Sequence, residues 1–250
     1  ITYDNKYIET IWFLLKQFYD KGYLYKGYTI QPYSPAAGTG LSTHELNMPG
    51  CYKMVKDTSM VAQFRVVRNE QSEFLYNSTD TDVYFLAWTT TPWTLPSNTA
   101  LGVGKKIRYV SVRSFNQYTG DPITVILAKE LLYKYFSEKN ADLKLEDYKP
   151  GDKKVPFKVI DEFDGSDLAG LRYEQLMPYQ QPEDGDAFRV VTGDFVTTEE
   201  GTGIVHLAPS FGADDFKVGK EFGNGSLTLV DKHGKFVEGM GEFSGRYVKK

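Results

Sequence analysis

The sequence predicts an α+β fold rich in β-structure, a β-barrel with peripheral helices. Three observations predict it. Short apolar or alternating runs recur along the chain, at 60–67, 83–88, 100–103, 109–112, 123–128, 155–163, 188–192 and 204–207. Glycine and proline turns separate them, and only two or three stretches carry helical spacing. The 250 residues are enough to bury a substantial core in one or two domains. An apolar fraction of 41% and a charged fraction of 25% match an ordinary globular chain. The net charge of −4 supplies no global attraction to nucleic acid, so any RNA contact must be local. One cysteine, Cys51, excludes an internal disulfide and suits a reducing cytosol. There is no apolar run of about 18 residues, so no membrane helix is expected. No secretory signal follows Ile1, and Asn77-Ser78-Thr79 and Asn224-Gly225-Ser226 are therefore read as turns, not glycosylation sites.

In chain order, residues 5–24 read as a helix. Ile8, Ile11, Trp12, Leu15, Phe18 and Tyr19 fall on one face, Asp4 is placed to cap the start and Gly22 to end it. A strand is expected at 25–33 and a long loop at 32–50. Gly38-Thr39-Gly40 in that loop lacks the context of a phosphate loop, and His44 and Glu45 lack a second cluster to complete a metal site. A polar connection at 69–81 leads to the apolar strand 83–88. Residues 129–139 read as a helix with Leu131, Leu132, Tyr135 and Phe136 on its apolar side. A charged surface stretch covers 142–154. Pro156 interrupts the strand at 155–163 early, 165–177 mixes a turn with a short helix or strand, and 178–186 is a mobile loop on composition. Residues 214–222 form a last helix. Asn224-Gly225 is a turn, and 227–230 a final short strand.

Two stretches carry candidate chemistry. The first is Thr89-Thr90-Thr91-Pro92-Trp93-Thr94-Leu95-Pro96-Ser97-Asn98. Pro92 should stop the strand and open a short helix, with Thr91 as its N-cap. Hydroxyls and free N–H groups then gather at one strand end, a place that suits an anionic or carbonyl oxygen. The second is Gly201-Thr202-Gly203-Ile204-Val205-His206-Leu207-Ala208-Pro209, followed by Asp214-Asp215 at a helix start. Each has an ordinary explanation by itself. Threonines favour strands, a lone strand histidine usually belongs to a core, and acids at a helix start are usually caps.

Together the two motifs resemble the editing domain inserted into class I aminoacyl-tRNA synthetases for branched aliphatic amino acids, the isoleucine type above all. The leucine and valine types usually carry Arg where Thr91 stands. The resemblance extends, less tightly, over nearly the whole chain. It implies a distorted β-barrel editing domain with helical decorations over 51–250, with 1–50 as a junction segment toward a catalytic domain. It also implies a task. One methylene changes binding in an apolar pocket too little to separate isoleucine from valine, a limit for which isoleucyl-tRNA synthetase is itself the standard illustration, with editing as the remedy. The implied activity is hydrolysis of the ester joining valine to the terminal adenosine of tRNA(Ile).

The resemblance assigns roles residue by residue. Asp215 would hold the substrate ammonium, because a carboxylate accepts charge-assisted hydrogen bonds. Thr90 and Thr91 would contact substrate and water. With Asp215 they form the expected catalytic set. Thr89 belongs to the substrate-binding set. Thr94 and Asn98 would hold the adenosine end or brace the loop, Trp93 would line or gate the pocket, and His206 would narrow it. No strong general base is implied, so catalysis would rest on positioning and on the substrate's own ribose hydroxyl and ammonium. No metal or cofactor is implied for editing. The ATP and magnesium of a whole synthetase would act elsewhere, since the chain has neither a His-x-Gly-His nor a Lys-Met-Ser-Lys-Ser stretch. The chain starts without Met and stops at Lys250, and is expected to be a piece of a larger cytoplasmic protein that supplies the catalytic domain in cis. Valine- or leucine-type editing and a non-catalytic tRNA-binding insert are the alternatives. An unrelated threonine or aspartic hydrolase lacks a placed Lys, amine or second Asp to activate a nucleophile.

Overall fold

The computed structural model describes residues 1–27 and 29–249. They fall into two compact units, residues 1–30 and 31–250.

The first unit is built on helix α1, Asn5–Asp20, which starts where the Asp4 side chain accepts from the Lys6 N–H at 3.0 Å. None of its residues is buried, and the apolar face that includes Trp12 and Phe18 is exposed. The strand expected at 25–33 does not form in this unit's described part, and Tyr28 lies outside the described residues.

The second unit opens with a two-residue hairpin, β1 Tyr33–Ser34 and β2 Thr39–Gly40, and the single turn α2, Thr43–Leu46. Glu45 is engaged in a capping box with Ser42, its carboxylate accepting from the Ser42 N–H at 2.7 Å.

The main sheet has eight strands: β3 Met60–Arg65, β4 Val83–Thr89, β5 Ala100–Val103, β6 Arg108–Phe115, β7 Pro122–Ala128, β8 Lys158–Asp164, β9 Arg189–Thr192 and β10 Ile204–Leu207. Strand β4 is its hub. Along one edge it pairs antiparallel with β3. Its other edge is shared: Val83, Tyr84 and Phe85 pair parallel with β7, and Trp88 pairs parallel with Val205 of β10. From β7 the sheet continues antiparallel through β6 to β8. From β10 it continues through antiparallel β5 to parallel β9. The sheet curls, and its β3 and β9 edges are joined by the segment through Arg172 and Tyr173. Val66 bridges Tyr173, and Arg172 bridges Arg189. The circuit from β4 through β3, residues 171–174, β9, β5 and β10 back to β4 is the distorted barrel. Phe188, at the turn into β9, holds a φ of +60°. Its N–H donates to the Thr99 carbonyl at 2.7 Å and its carbonyl accepts from the Tyr173 N–H at 3.1 Å, so the closure over-determines an otherwise unfavourable conformation.

The barrel interior holds Phe64, Phe85, Leu101, Val190, Ile204 and Tyr173. The outer face of β4, β6 and β7 packs a second layer of Leu86, Val110, Val112, Val125 and Leu127 under Leu132 and Phe157. β4 and β7 are thus covered on both faces, which explains why they read as unbroken apolar runs.

Several elements differ from expectation. The helix at 129–139 is broken into a 3₁₀ turn, Lys129–Leu131, α3, Leu132–Tyr135, and a second 3₁₀ turn, Glu138–Asn140, because Leu131 and Leu132 are drawn into the two cores and the chain extends at Phe136. β8 begins after Pro156, not before it. Residues 165–177 hold the expected turn, and of the two alternatives there it is the strand-like one that forms, as the bridges of Arg172 and Tyr173 that close the barrel. The strand at 227–230 reduces to one bridge, Val230 to Phe236, because Leu227 and Leu229 point into a small core with Phe236 and Met240 and find no neighbouring strand. Helix α4, Ala213–Phe222, forms as expected, within a residue. No helix among the described residues is long and apolar enough to cross a membrane.

Candidate functional site

Parallel strands share their ends, so the chain leaving β4 and the chain leaving β10 emerge on the same side of the sheet. That brings the two motifs together. β4 ends on Thr89, which is buried, and Thr90 and Thr91 follow as exposed residues. Pro92 then opens a 3₁₀ helix, Pro92–Ser97. Thr91 occupies the cap position, but its hydroxyl makes no capping bond. The polarity is reversed: the Thr91 carbonyl accepts from Thr94, from the N–H at 2.9 Å and the hydroxyl at 2.8 Å. The Thr91 N–H donates back to Thr89 Oγ1 at 3.1 Å. The hydroxyls of Thr89 and Thr94 lie 3.3 and 3.4 Å from that of Thr91.

His206 on β10 reaches into this loop from below. Its Nε2 lies 2.9 Å from Thr94 Oγ1 and its Nδ1 2.9 Å from Asn98 Nδ2. Asn98 is 2% exposed and has no free capacity facing solvent. Its amide nitrogen also donates to the Ala100 carbonyl at 2.8 Å, and its oxygen accepts from the Tyr173 hydroxyl at 2.7 Å. Burial pushes the imidazole down to about 4, so His206 is neutral at pH 7. The Nδ1 lone pair is already taken by Asn98, which leaves Nε2 to carry the proton and donate to Thr94. An imidazole committed at both nitrogens cannot take a proton from a water molecule.

Asp215 lies in the first turn of α4, and the side chain sits half-buried beside the end of β10. Its Oδ2 accepts from the Ala208 N–H at 2.8 Å. Gly212, at the N-cap of α4, makes room for it: a Cβ at 212 would stand 2.8 Å from the Asp215 carboxyl carbon. Burial raises the Asp215 carboxyl above its ordinary value, against the pull of the Ala208 N–H, and the charge on Asp214 adds to the rise. Asp214 points away, exposed, toward Lys217. Trp93 packs edge-on against Phe211 at 5.2 Å, tying the threonine loop to the loop before α4.

A cleft of about 290 Å³ opens here, between Thr89, Thr90 and His206 on one side and Phe195, Glu200 and the 201–203 turn on the other. The turn is pinned from behind. Thr202 Oγ1 donates to the Leu86 carbonyl at 2.6 Å, the Ala128 N–H donates to the Thr202 carbonyl at 2.8 Å, and the Tyr109 hydroxyl donates to the Gly203 carbonyl at 2.6 Å. Gly203 has a φ of +73° and a Cβ there would lie 2.3 Å from that of Ala128, so the turn requires glycine. A larger hollow of about 750 Å³ lies against Arg113, Phe115 and Lys158 and contains no residue of either motif. The smaller cleft is the candidate site because residues of both motifs line it, Thr89 and Thr90 from the first and the 201–206 run from the second.

The structure therefore brings Thr89, Thr90, Thr91, Thr94, Asn98 and His206 into one hydrogen-bonded group or its rim. Thr91, Trp93, Thr94 and Asn98 on the segment after β4, and Asp215 in the first turn of α4, lie outside the lining of the cleft itself. Three residues of the site's framework lie outside what sequence reasoning singled out. Phe195 walls the cleft. Tyr109 and Tyr173 brace it from the core, and a buried tyrosine looks like any other apolar strand residue until its hydroxyl partner is known.

No family model matches the chain. Over 247 residues, 99% of this chain, it is 64% identical to the isoleucine–tRNA ligase of Bacteroides fragilis. It is 60% identical over 259 residues to that of Cytophaga hutchinsonii, with all of this chain aligned. It covers 21% of the first protein and 23% of the second, so the chain spans about a fifth of the length of the curated relatives it matches. Among solved structures, the P. knowlesi cytosolic leucyl-tRNA synthetase editing domain aligns with 65% of this chain and 62% of that chain, at a TM-score of 0.47 and 15% identity.

Proposed function

Over its whole length the chain belongs with a segment of the isoleucine–tRNA ligases, and from that premise we propose that it is an editing domain, hydrolysing the ester of valine mischarged onto the isoleucine tRNA. One observation carries the reading. The two motifs, whose members Thr94 and His206 are 112 residues apart, meet in a single hydrogen-bonded site at the rim of a small cleft.

The division of labour follows from burial. Asp215 is a carboxylate held in partial desolvation, and the amino acid's ammonium is the partner that relieves it. Thr90 and Thr91 present hydroxyls to solvent, each able to donate and accept, which suits holding a water against the ester carbonyl. Water adds to that carbonyl, the ester C–O bond breaks, and free valine and the terminal ribose hydroxyl leave. With His206 neutral and occupied at both nitrogens, no side chain of this set serves as a strong base. The rate enhancement comes from positioning and from the substrate's neighbouring ribose hydroxyl. His206 acts as a wall, and the space it fills is the space that isoleucine's extra methylene needs. The hydrolysis uses no metal or cofactor. The parent catalytic domain, in the cytoplasm and on the same polypeptide, delivers the charged tRNA end.

The test is a deacylation assay with excess protein. Valyl-tRNA(Ile) should lose valine well above the spontaneous rate, and isoleucyl-tRNA(Ile) should not. A valyl ester that decays at the spontaneous rate in the presence of folded protein would reduce the domain to a non-catalytic tRNA-binding insert.

A further inference from the structure

We propose that Tyr173 is a positioning residue of this site: its buried hydroxyl starts a one-way hydrogen-bond chain that holds His206 in the Nε2–H tautomer and thereby orients the threonine loop. Tyr173 is 2% exposed and lies on the segment that closes the barrel between β3 and β9. Its ring packs edge-on against Phe64 at 5.3 Å, which aims the hydroxyl inward.

Each link in the chain has a direction imposed by a group that can act in only one way. Asn98 Oδ1 only accepts, so the Tyr173 hydroxyl, 2.7 Å away, donates. The Ala100 carbonyl only accepts, so the Asn98 side-chain atom 2.8 Å from it is the NH₂ group. That same nitrogen faces His206 Nδ1 and must donate to it. A neutral imidazole that accepts at Nδ1 carries its proton on Nε2, which donates to Thr94 Oγ1. Thr94 passes its own proton to the Thr91 carbonyl, another pure acceptor. The chain thus runs from the barrel core to the exposed mouth, where the Thr91 hydroxyl keeps only long contacts, 3.3 Å to Thr89 Oγ1 and 3.4 Å to Thr94 Oγ1. Tyr173 belongs to neither motif and lies 75 residues from Asn98.

Without the phenolic hydrogen, Asn98 Oδ1 is a buried acceptor with no donor. The amide must rotate or admit water, and either change weakens its hold on Nδ1. The importance of this for deacylation rests on the function proposed above, whereas the tautomer of His206 does not.

The experiment is nitrogen NMR of the histidine rings in the unaltered chain and in Tyr173→Phe, with the signals of exposed His44 and His233 identified by His44→Gln and His233→Gln. The unaltered chain should show His206 as a single Nε2–H tautomer that stays neutral to about pH 4. Tyr173→Phe should populate the Nδ1–H tautomer, move the titration upward, and lower kcat for valyl-tRNA about tenfold with KM unchanged. Fluorotyrosine placed at 173, a stronger donor of nearly the same shape, should restore the single tautomer and shift the Nδ1 resonance further from its Tyr173→Phe position. A folded Tyr173→Phe with unchanged His206 signals and titration overturns the proposal. Should that variant not fold, an Nδ1 resonance unmoved by fluorotyrosine overturns it equally. If the signals change as described while the unaltered chain fails to deacylate, the positioning role stands and the editing function falls.

Discussion

The back and the mouth of the site are built on opposite plans. At the back, Thr94, Asn98, His206 and Tyr173 are all below a tenth exposed, and their hydrogen bonds are spent on one another. At the mouth, Thr90 and Thr91 are exposed, and Asp215 carries a charge that its surroundings disfavour. A saturated polar network rigidifies, because moving any member strands a buried partner. An unsaturated rim costs the free protein some stability and is repaired when a ligand arrives. Under the proposed editing function, shape selection would belong to the back and ligand holding to the mouth, and substitutions in the two regions should fail in different ways.

The largest expected effect is at the back. His206→Ala removes a buried ring and takes one hydrogen-bond partner each from Asn98 Nδ2 and Thr94 Oγ1, which keep their bonds to the Ala100 and Thr91 carbonyls, so urea unfolding should show a loss of about 2–4 kcal/mol, most of it from the cavity. If His206 is the wall proposed above, hydrolysis of isoleucyl-tRNA should appear in the same variant. A folded variant that still refuses isoleucyl-tRNA shows that discrimination is not steric at this residue.

The network also has a pH signature. His206 titrates at about 4 in the folded chain, against about 6.5 when unfolded. The folded state binds this proton more weakly. Its contribution to stability is therefore complete above about pH 6.5 and is lost as pH falls toward 4, by up to about 3 kcal/mol. The difference in unfolding free energy between the unaltered chain and His206→Gln, measured at pH 7 and pH 4.5, isolates it. An equal difference at both pH values would show that His206 is not buried neutral.

At the mouth, Asp215→Asn should separate function from stability. The amide oxygen can still accept from the Ala208 N–H, while the disfavoured charge is gone. Since the folded-state carboxyl is raised, its ionised form is a burden at neutral pH, and melting at pH 7 should stay level or rise. Deacylation of valyl-tRNA should fall by the worth of a charge-assisted contact, about 1.5–3 kcal/mol or at least tenfold. Lower melting with normal turnover would make Asp215 a structural anchor of α4 instead.

The smallest expected effect on stability is at Thr91. Thr91→Val keeps the shape and removes an exposed hydroxyl whose contacts to Thr89 and Thr94 are long, 3.3 and 3.4 Å, so unfolding should change by no more than about 0.5 kcal/mol. Turnover should nevertheless fall about tenfold, the worth of one hydrogen bond of roughly 1.4 kcal/mol to water or substrate. Equal losses in Thr91→Val and Thr94→Val, on both measures, would erase the distinction between mouth and back.

Much of this was legible in the chain alone. Local chemistry marks the Asp4 cap and the break at Pro92, and unbroken apolar runs mark β4 and β7, because these signals depend on residues a few positions apart. The expected helix at 129–139 was too long for the opposite reason. Its apolar spacing was real, but Leu131 and Leu132 serve two different cores, and local periodicity cannot tell which core a side chain will join.

For the site, the residue types and their order were determined by the sequence: hydroxyls after one strand, a histidine in another, an acid at a helix start. Their chemical states were decided only by the tertiary structure. A free histidine titrates near neutrality and reads as a possible base. His206 is neither charged nor available, because burial and the Asn98 and Thr94 contacts, from 108 and 112 residues away, determine its proton and its lone pair. Asn98 looked equally suited to holding a ligand or bracing a loop, and its four-way enclosure by Ala100, Leu207, His206 and Tyr173 commits its amide to the interior. Tyr173 carried no local signal. A phenol's role depends on which acceptor its hydroxyl reaches, and that acceptor is supplied by the closure of the barrel.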